Sequence, residues 1–151
     1  MNKIKIGKQE VIHFVGIGGI GMSGLAQIMK TMGFIVQGSD VIKNKNTDNC
    51  KKLGVKILIK HNKKNISKAS ILVKSSAIKS SNVELLDAKR RNIPIYERIE
   101  MLANIIDLKK NIIITGSHGK TTTTSLVANI ISTAKLDPTI INGGVINSLK
   151  N

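Results

Sequence analysis

Two short glycine-rich stretches hold the residues best suited to chemistry. The first, Gly16-Ile17-Gly18-Gly19-Ile20-Gly21, matches G-x-G-x-x-G. It follows the β-rich run Val11–Val15 and opens an amphipathic segment. In that setting Gly16 permits a tight turn and Gly18 lets the backbone approach a diphosphate. Gly21 allows a helix to pack closely on a strand. The start of a helix adds unpaired N–H groups and about half a positive charge. Asp40 stands beyond Gly21 at about the 20-residue spacing of the acid that binds a ribose hydroxyl. The second stretch, Thr115-Gly116-Ser117-His118-Gly119-Lys120-Thr121-Thr122, also lies between a strand-like run and a helix-like one. A strict phosphate-loop motif has glycine at position 114, where this chain has Ile114. The mechanical parts remain. Gly116, Ser117, His118, Gly119, Lys120, Thr121 and Thr122 form the candidate ATP-binding set, their N–H groups surrounding phosphates. Lys120 is the candidate catalytic residue, able to reach the β- and γ-phosphates. The Thr121 hydroxyl is the candidate metal ligand, joining a Mg²⁺ shell. Thr121 to Thr124 are poor helix formers, so they make little sense as helix filler.

One diphosphate cradle and one triphosphate cradle together suggest a nucleotide-linked substrate activated by ATP, with Mg²⁺. A simple dehydrogenase has no use for the second cradle.

The elements that position these turns alternate. Val11–Val15 reads as a strand; Met22, Leu25, Ala26, Met29 and Met32 recur at helical spacing, with Gly33 as a stop. A strand from Phe34 ends near Asp40. A helix over about Thr47 to Leu53 is closed by Gly54. Strands follow at Val55–Ile59 and Ile71–Val73, the latter leading into Ser75-Ser76-Ala77. Ser81 and Glu84 have capping-box spacing, predicting a helix from there to about Arg91. Ile93–Tyr96 is a short strand, and Ile99, Leu102, Ile105 and Ile106 mark another helix. After the polar junction Lys109-Lys110-Asn111, Ile112–Ile114 reads as a buried-type strand. Leu126, Val127, Ile130 and Ile131 form a helix face, and Thr139–Ile141 begins a further strand ending at Gly143-Gly144. Such alternation predicts an α/β fold, a parallel sheet covered by helices, with ligands at the carboxyl ends of the strands. A domain boundary is expected near Asp107 to Asn111, giving units over 1–108 and 109–151.

Composition narrows the function. With 41% hydrophobic residues the chain can build a core. The net charge of +15 suggests nucleic acid at first sight. Against that, Phe14, Phe34 and Tyr96 are the only aromatics, too few for base stacking. Among the 24 basic residues only Arg90, Arg91 and Arg98 are arginines, so bidentate base readout is poorly supplied. No nucleic-acid partner is expected; polyphosphate ligands fit the charge better. Cys50 is the single cysteine, which excludes an internal disulfide and fits a reducing cytoplasm. The glycines between Val11 and Met29 spoil that stretch as a signal peptide, and no membrane insertion is expected.

The residues reached so far resemble the Mur ligases of peptidoglycan synthesis, the alanine-adding branch most closely. His13 to Gly24 is similar to the first signature of that family and Gln37-Gly38-Ser39-Asp40 to its second strand end. Ser75–Ile78, Arg98–Leu102, the loop Gly116–Thr123 and Gly143-Gly144 with Asn147 also match, with Ser117 where threonine is more usual. The resemblance spans nearly the whole chain. It implies a Rossmann-like first domain that binds UDP-N-acetylmuramate through Gly16, Gly18, Gly19, Gly21, Met22, Asp40, Ser75, Ser76 and Ala77. It further implies the beginning of a P-loop ATPase-type α/β domain holding Mg²⁺-ATP. The implied reaction phosphorylates the muramoyl carboxylate, and the amine of L-alanine then attacks the acyl phosphate. Family ligases are several times longer. The expectation is therefore an incomplete ligase, inactive alone, lacking the remaining ATPase sheet and the amino-acid-binding domain. A non-catalytic UDP-sugar module, an NAD-binding domain and the related murein-peptide recycling ligase are the competing readings. His13 is expected to be structural and His118 to touch nucleotide; His61, after the third strand, is a weaker candidate for the cleft rim. Met22, Met29 and Met32 are expected in the core, and Cys50 as an inert thiol. Arg98 and Glu100 are candidates for substrate contact through the resemblance.

Overall fold

The structure is a computed structural model, and it describes residues 6–108, 110–142 and, as backbone, 145–148. Gly143 and Gly144 lie outside the described residues, as does Lys109 of the polar junction.

Five parallel strands form the main sheet: β1 (Val11–Val15), β2 (Ile35–Asp40), β3 (Lys56–Ile59), β4 (Ile71–Lys74) and β5 (Ile95–Glu97), in the order β3-β2-β1-β4-β5. The central strand β1 pairs Phe14 with Gly38 on one side and with Val73 on the other. Helices α1 (Ile20–Thr31), α2 (Lys45–Lys52), α3 (Val83–Arg90) and α4 (Arg98–Ile106) cover the sheet. This is the parallel sheet covered by helices predicted from the alternation of elements, in the Rossmann-like form that the resemblance implies.

Side-chain alternation divides the core into two layers. Ile12 and Phe14 of β1, Val36 of β2 and Val73 of β4 meet Leu25 and Met29 of α1 and Met101 and Ile105 of α4. On the other face Val15 and Leu72 meet Ile66, Leu85 and Ala88. Met22 and Met29 are buried, as expected for core methionines, and Met32 packs at the edge of the larger cluster. Cys50 is fully buried, and burial pushes its thiol up to about 11, so it is inert. Helix α1 stops at Gly33, whose φ of 85° few side chains tolerate. Lys8 donates to the Met32 carbonyl at that end and lies 3.8 Å over the Phe34 ring.

Three local expectations need correction. Helix α2 begins at Lys45, two residues before Thr47, because the Asn44 side chain accepts from the Thr47 amide at 3.0 Å. The Ser81–Glu84 capping box does not form. Asn82 caps α3 instead, accepting from the Glu84 amide at 2.9 Å, and the Glu84 side chain turns inward. Ile112–Ile114 is not a strand: no described strand pairs with it, and Ile112 and Ile113 are 66% and 69% exposed. A β-rich sequence forms a strand only where a neighbour takes its backbone hydrogen bonds.

Beyond it, α5 (Lys120–Thr133) leads to an antiparallel hairpin of β6 (Thr139–Asn142) and β7 (Val145–Ser148). Strand β7 was not expected from the sequence. Ala128 is the one buried residue of α5, while Leu126 and Ile130 of the expected apolar face are 62% and 69% exposed.

Candidate functional site

The first glycine turn sits where β1 ends, between β2 and β4, the point at which strand order reverses. Its shape is set by long-range bonds. The amides of Gly16 and Ile17 donate to the Ser39 carbonyl at 2.9 and 3.0 Å. Gly16 has φ of 82°, and a Cβ there would come within 3.2–3.3 Å of Ile78 and Ser75. The Ser75 amide donates to the Val15 carbonyl at 3.2 Å. The structure thus brings the Ser75-Ser76-Ala77 loop, with Ser76 and Ala77 exposed, against the first glycine.

Gly18 is committed to protein partners. Its amide donates to the Asp40 carboxylate at 2.7 Å, and its carbonyl accepts from Asn44 at 3.2 Å and Asn46 at 2.8 Å. A Cβ on Gly18 would stand 2.7 Å from the Asn44 amide and 2.8 Å from Asp40. So the close approach that demands glycine here is made first by side chains of the β2–α2 loop. Asp40 is held in place by this bond and keeps lone pairs for a hydroxyl. The donors left for a phosphate are the amides of Ile20, Gly21 and Met22, which have no carbonyl one turn earlier to bond. Helix α1 has neither a side-chain cap nor an acid in its first turn. Met22 offers the site only its backbone, since its side chain is in the core.

The second turn precedes α5. Gly119 caps that helix in the left-handed region with φ of 75°, and Gly116 has φ of 153°. Lys120 folds back, its ammonium donating to the carbonyls of Gly116 and of Ser117, the latter at 3.0 Å. Thr124 and Ser125 bond back to the carbonyls of Lys120 and Thr121 at 2.8 and 2.9 Å. The residues fit a polyphosphate: the first amides of α5 are uncapped and a lysine sits beside them. A protein-held metal fits less well. Among the described residues no group of three or more His, Cys, Asp or Glu could hold one, so Thr121 would share Mg²⁺ with phosphate oxygens and water. Lys120, Thr121, Thr122 and His118 are all exposed.

One feature escaped the sequence reading. Glu84 is fully buried and collects donors from two other segments: the Ser39 hydroxyl and Asn65 amide at 2.6 Å and the Asn62 backbone at 3.1 Å. His13 and His61 each approach it at 3.3 Å. Burial pushes the Glu84 carboxyl up, but bonds from His13, Ser39 and Asn65 and the charge of His13 outweigh it and hold it at about 2. Gln37 bonds His13 at 3.1 Å and the Asn65 carbonyl at 2.9 Å. His13 is therefore structural, and His61 serves the same cluster. The signal was available: His13, Gln37 and Ser39 are polar residues falling on one face of two buried strands.

Known proteins resemble this chain over most of its length. A family model described as Mur ligase family, catalytic domain, matches residues 11–110. A Pelagibacter ubique protein named UDP-N-acetylmuramate–L-alanine ligase is 68% identical over 149 residues, 99% of this chain and 32% of that one. The Aquifex aeolicus protein of the same name is 54% identical over 137 residues, covering 91% of this chain and 30% of the relative. The chain thus spans about a third of the length of the curated relatives it matches. Among solved structures, the UDP-N-acetylmuramate–alanine ligase MurC of Thermotoga maritima superimposes with a TM-score of 0.77 at 34% identity, covering 87% of this chain and 31% of that one. A UDP-N-acetylmuramate:L-alanyl-γ-D-glutamyl-meso-diaminopimelate ligase from Neisseria gives 0.76 at 28%, covering 90% and 43%. With two-thirds of its length, from Val11 to Lys110, matched by one family model, this chain belongs to the Mur ligase family.

Proposed function

We propose that these residues are the nucleotide-sugar end and the phosphate loop of an ATP-dependent ligase joining L-alanine to UDP-N-acetylmuramate. The observation that carries this reading is the 68% identity to a relative of that name, running through both glycine turns. Residues 1–108 form the UDP-sugar unit and 109–151 the beginning of the ATP unit. In the first, Asp40 receives a ribose hydroxyl, the α1 amides face the diphosphate, and Gly16, Gly19 and Ser75–Ala77 line the approach. In the second, Gly116–Thr122 surround the phosphates of ATP, and Thr121 meets Mg²⁺. When bound, Mg²⁺-ATP supplies the phosphoryl group that activates the muramoyl carboxylate toward the amine of L-alanine. Lys120 would then exchange its loop carbonyls for phosphate oxygens and stabilise charge on the transferring group. Such cytosolic nucleotide substrates put the work in the cytoplasm, and no described helix is long and apolar enough to cross a membrane.

Calorimetry on the chain with UDP-N-acetylmuramate, UDP and NAD tests the first site. Both uridine ligands should bind and NAD should bind more weakly. Tighter binding of NAD would sink the reading.

A further inference from the structure

We infer that Glu84 is a positioning residue for the first glycine turn: it fixes Ser39 from the α3 face of the sheet, and Ser39 fixes the turn. This role rests on the UDP-sugar reading and adds to it a group that touches no ligand. Ser39 is where the buried polar cluster and the turn meet. Its carbonyl accepts the amides of Gly16 and Ile17, the first two residues of the turn. Its hydroxyl points into the cluster, donating to Oε2 of Glu84 at 2.6 Å, with Nδ1 of His61 at 3.0 Å and Nε2 of His13 at 3.3 Å beside it. Next in the chain is Asp40, whose carboxylate holds the Gly18 amide and whose carbonyl accepts the Lys60 amide at 2.7 Å, one residue before His61. Ser39 and Asp40 thus hold the amides of Gly16, Ile17 and Gly18 in succession.

The chemistry of the carboxylate makes this arrangement directional. The Glu84 carboxyl is held at about 2, so at neutral pH both of its oxygens only accept. Oε1 is taken by the Asn62 amide and the Asn65 side chain, and Oε2 is left for Ser39 and the two imidazoles. The Ser39 hydroxyl must therefore donate to Glu84, which fixes its rotamer and leaves its lone pairs to the histidines. His13, Ser39 and Glu84 are all fully buried.

Stability alone gives no reason for such a cluster. Apolar side chains filling the same volume usually stabilise a fold as well or better. A fully satisfied polar network instead selects one arrangement. Here that arrangement is centred on the β2 residue whose backbone holds the entry to the turn.

Glu84→Gln keeps the size of the side chain but turns one of its two acceptors into a donor, so it cannot hold Asn62, Asn65 and Ser39 together. In the 151-residue chain, kept well below its unfolding transition, this variant should raise the dissociation constant for UDP roughly three- to thirtyfold. Amide exchange at Gly16, Ile17 and Gly18 should quicken. Ser39→Ala should do the same, and it decides by the same readouts if Glu84→Gln does not fold. In the Ser39→Ala background Glu84→Gln should weaken UDP binding no further, because its effect passes through Ser39. Leu85→Ala removes a buried apolar side chain from the same helix and should lower stability while leaving UDP affinity as in the parent. Parent-like affinity in Glu84→Gln, additive losses in the double variant, or an equal loss in Leu85→Ala would overturn the inference. If the parent chain binds no UDP, the UDP-sugar reading fails and the positioning role is judged by exchange alone. Faster exchange at Gly16 to Gly18 in Glu84→Gln, with parent rates at the centre of β1, would then support it, and unchanged rates at the turn would overturn it.

Discussion

The two glycine turns share a grammar and differ in what holds them. Each puts glycines before a helix whose first amides are uncapped. The first is tied to β2 through Ser39 and to the β2–α2 loop through Asp40, Asn44 and Asn46, and Arg98 of α4 lies close beside Gly21. The second is tied mostly to itself. Its lysine bonds its own loop carbonyls, and a Cβ on Gly119 would meet nothing within 4 Å. Local sequence makes a phosphate-binding turn possible; distant partners make it rigid. If both turns take phosphate as proposed, the first has its shape fixed by the fold before a ligand arrives, while the second is held chiefly by its own loop.

The largest expected consequence lies in hydrogen exchange. Amides at the centre of β1, such as Phe14, should exchange only through global unfolding, whereas those of Val127 and Ile130 in α5 should exchange through local opening. For a domain of ordinary stability the difference is roughly three to four orders of magnitude. Similar protection in β1 and α5, measured by mass spectrometry, would break the comparison.

The buried carboxylate offers the next test. Glu84→Ala leaves the Ser39 hydroxyl, the Asn65 amide and the Asn62 backbone without their acceptor. Losing one partner of such a cluster should cost about 3–5 kcal/mol in denaturant unfolding. The same group sets an acid dependence. Its folded pKa of about 2 lies below the ordinary carboxyl value of 4.5, so its contribution is present above pH 4.5 and is lost as pH falls toward 2. That contribution is roughly 3 kcal/mol. A chain whose stability is flat between pH 5 and 3, or a Glu84→Ala variant as stable as the parent, would show that the cluster does not stabilise the fold.

Legibility in the sequence follows the same division. Strands β1, β2 and β4 and helix α1 were readable because period and glycine position agree with the tertiary environment. Glu84 misled because its spacing from Ser81 has a local meaning, while its actual partners, Ser39 and Asn65, lie far away in sequence. Gly18 and Gly21 were recognised as glycines that something must approach. What approaches them, Asp40 with Asn44 and then Arg98, follows only from how loops converge at the switch point. Ile112–Ile114 failed in the opposite sense: its composition asks for a sheet, and no described strand pairs with it.

The smallest effects come from adding one methyl group in each region. At Gly38 a Cβ would meet Ile17 at 2.5 and 2.8 Å and the Phe14 carbonyl at 2.8 Å. Backbone and a buried branch cannot both yield, so Gly38→Ala should lose about 1–3 kcal/mol and lower the global melting temperature. Gly119→Ala meets no neighbour and pays only for the left-handed backbone, about 1–2 kcal/mol. That strain should fall on the second turn alone. Melting followed by circular dichroism should leave the main transition of Gly119→Ala where it is in the parent chain, while exchange at the first amides of α5 becomes faster. A shift of the main transition in Gly119→Ala as large as that in Gly38→Ala would mean that the two regions unfold as one, and the contrast between a braced turn and a free one would be wrong.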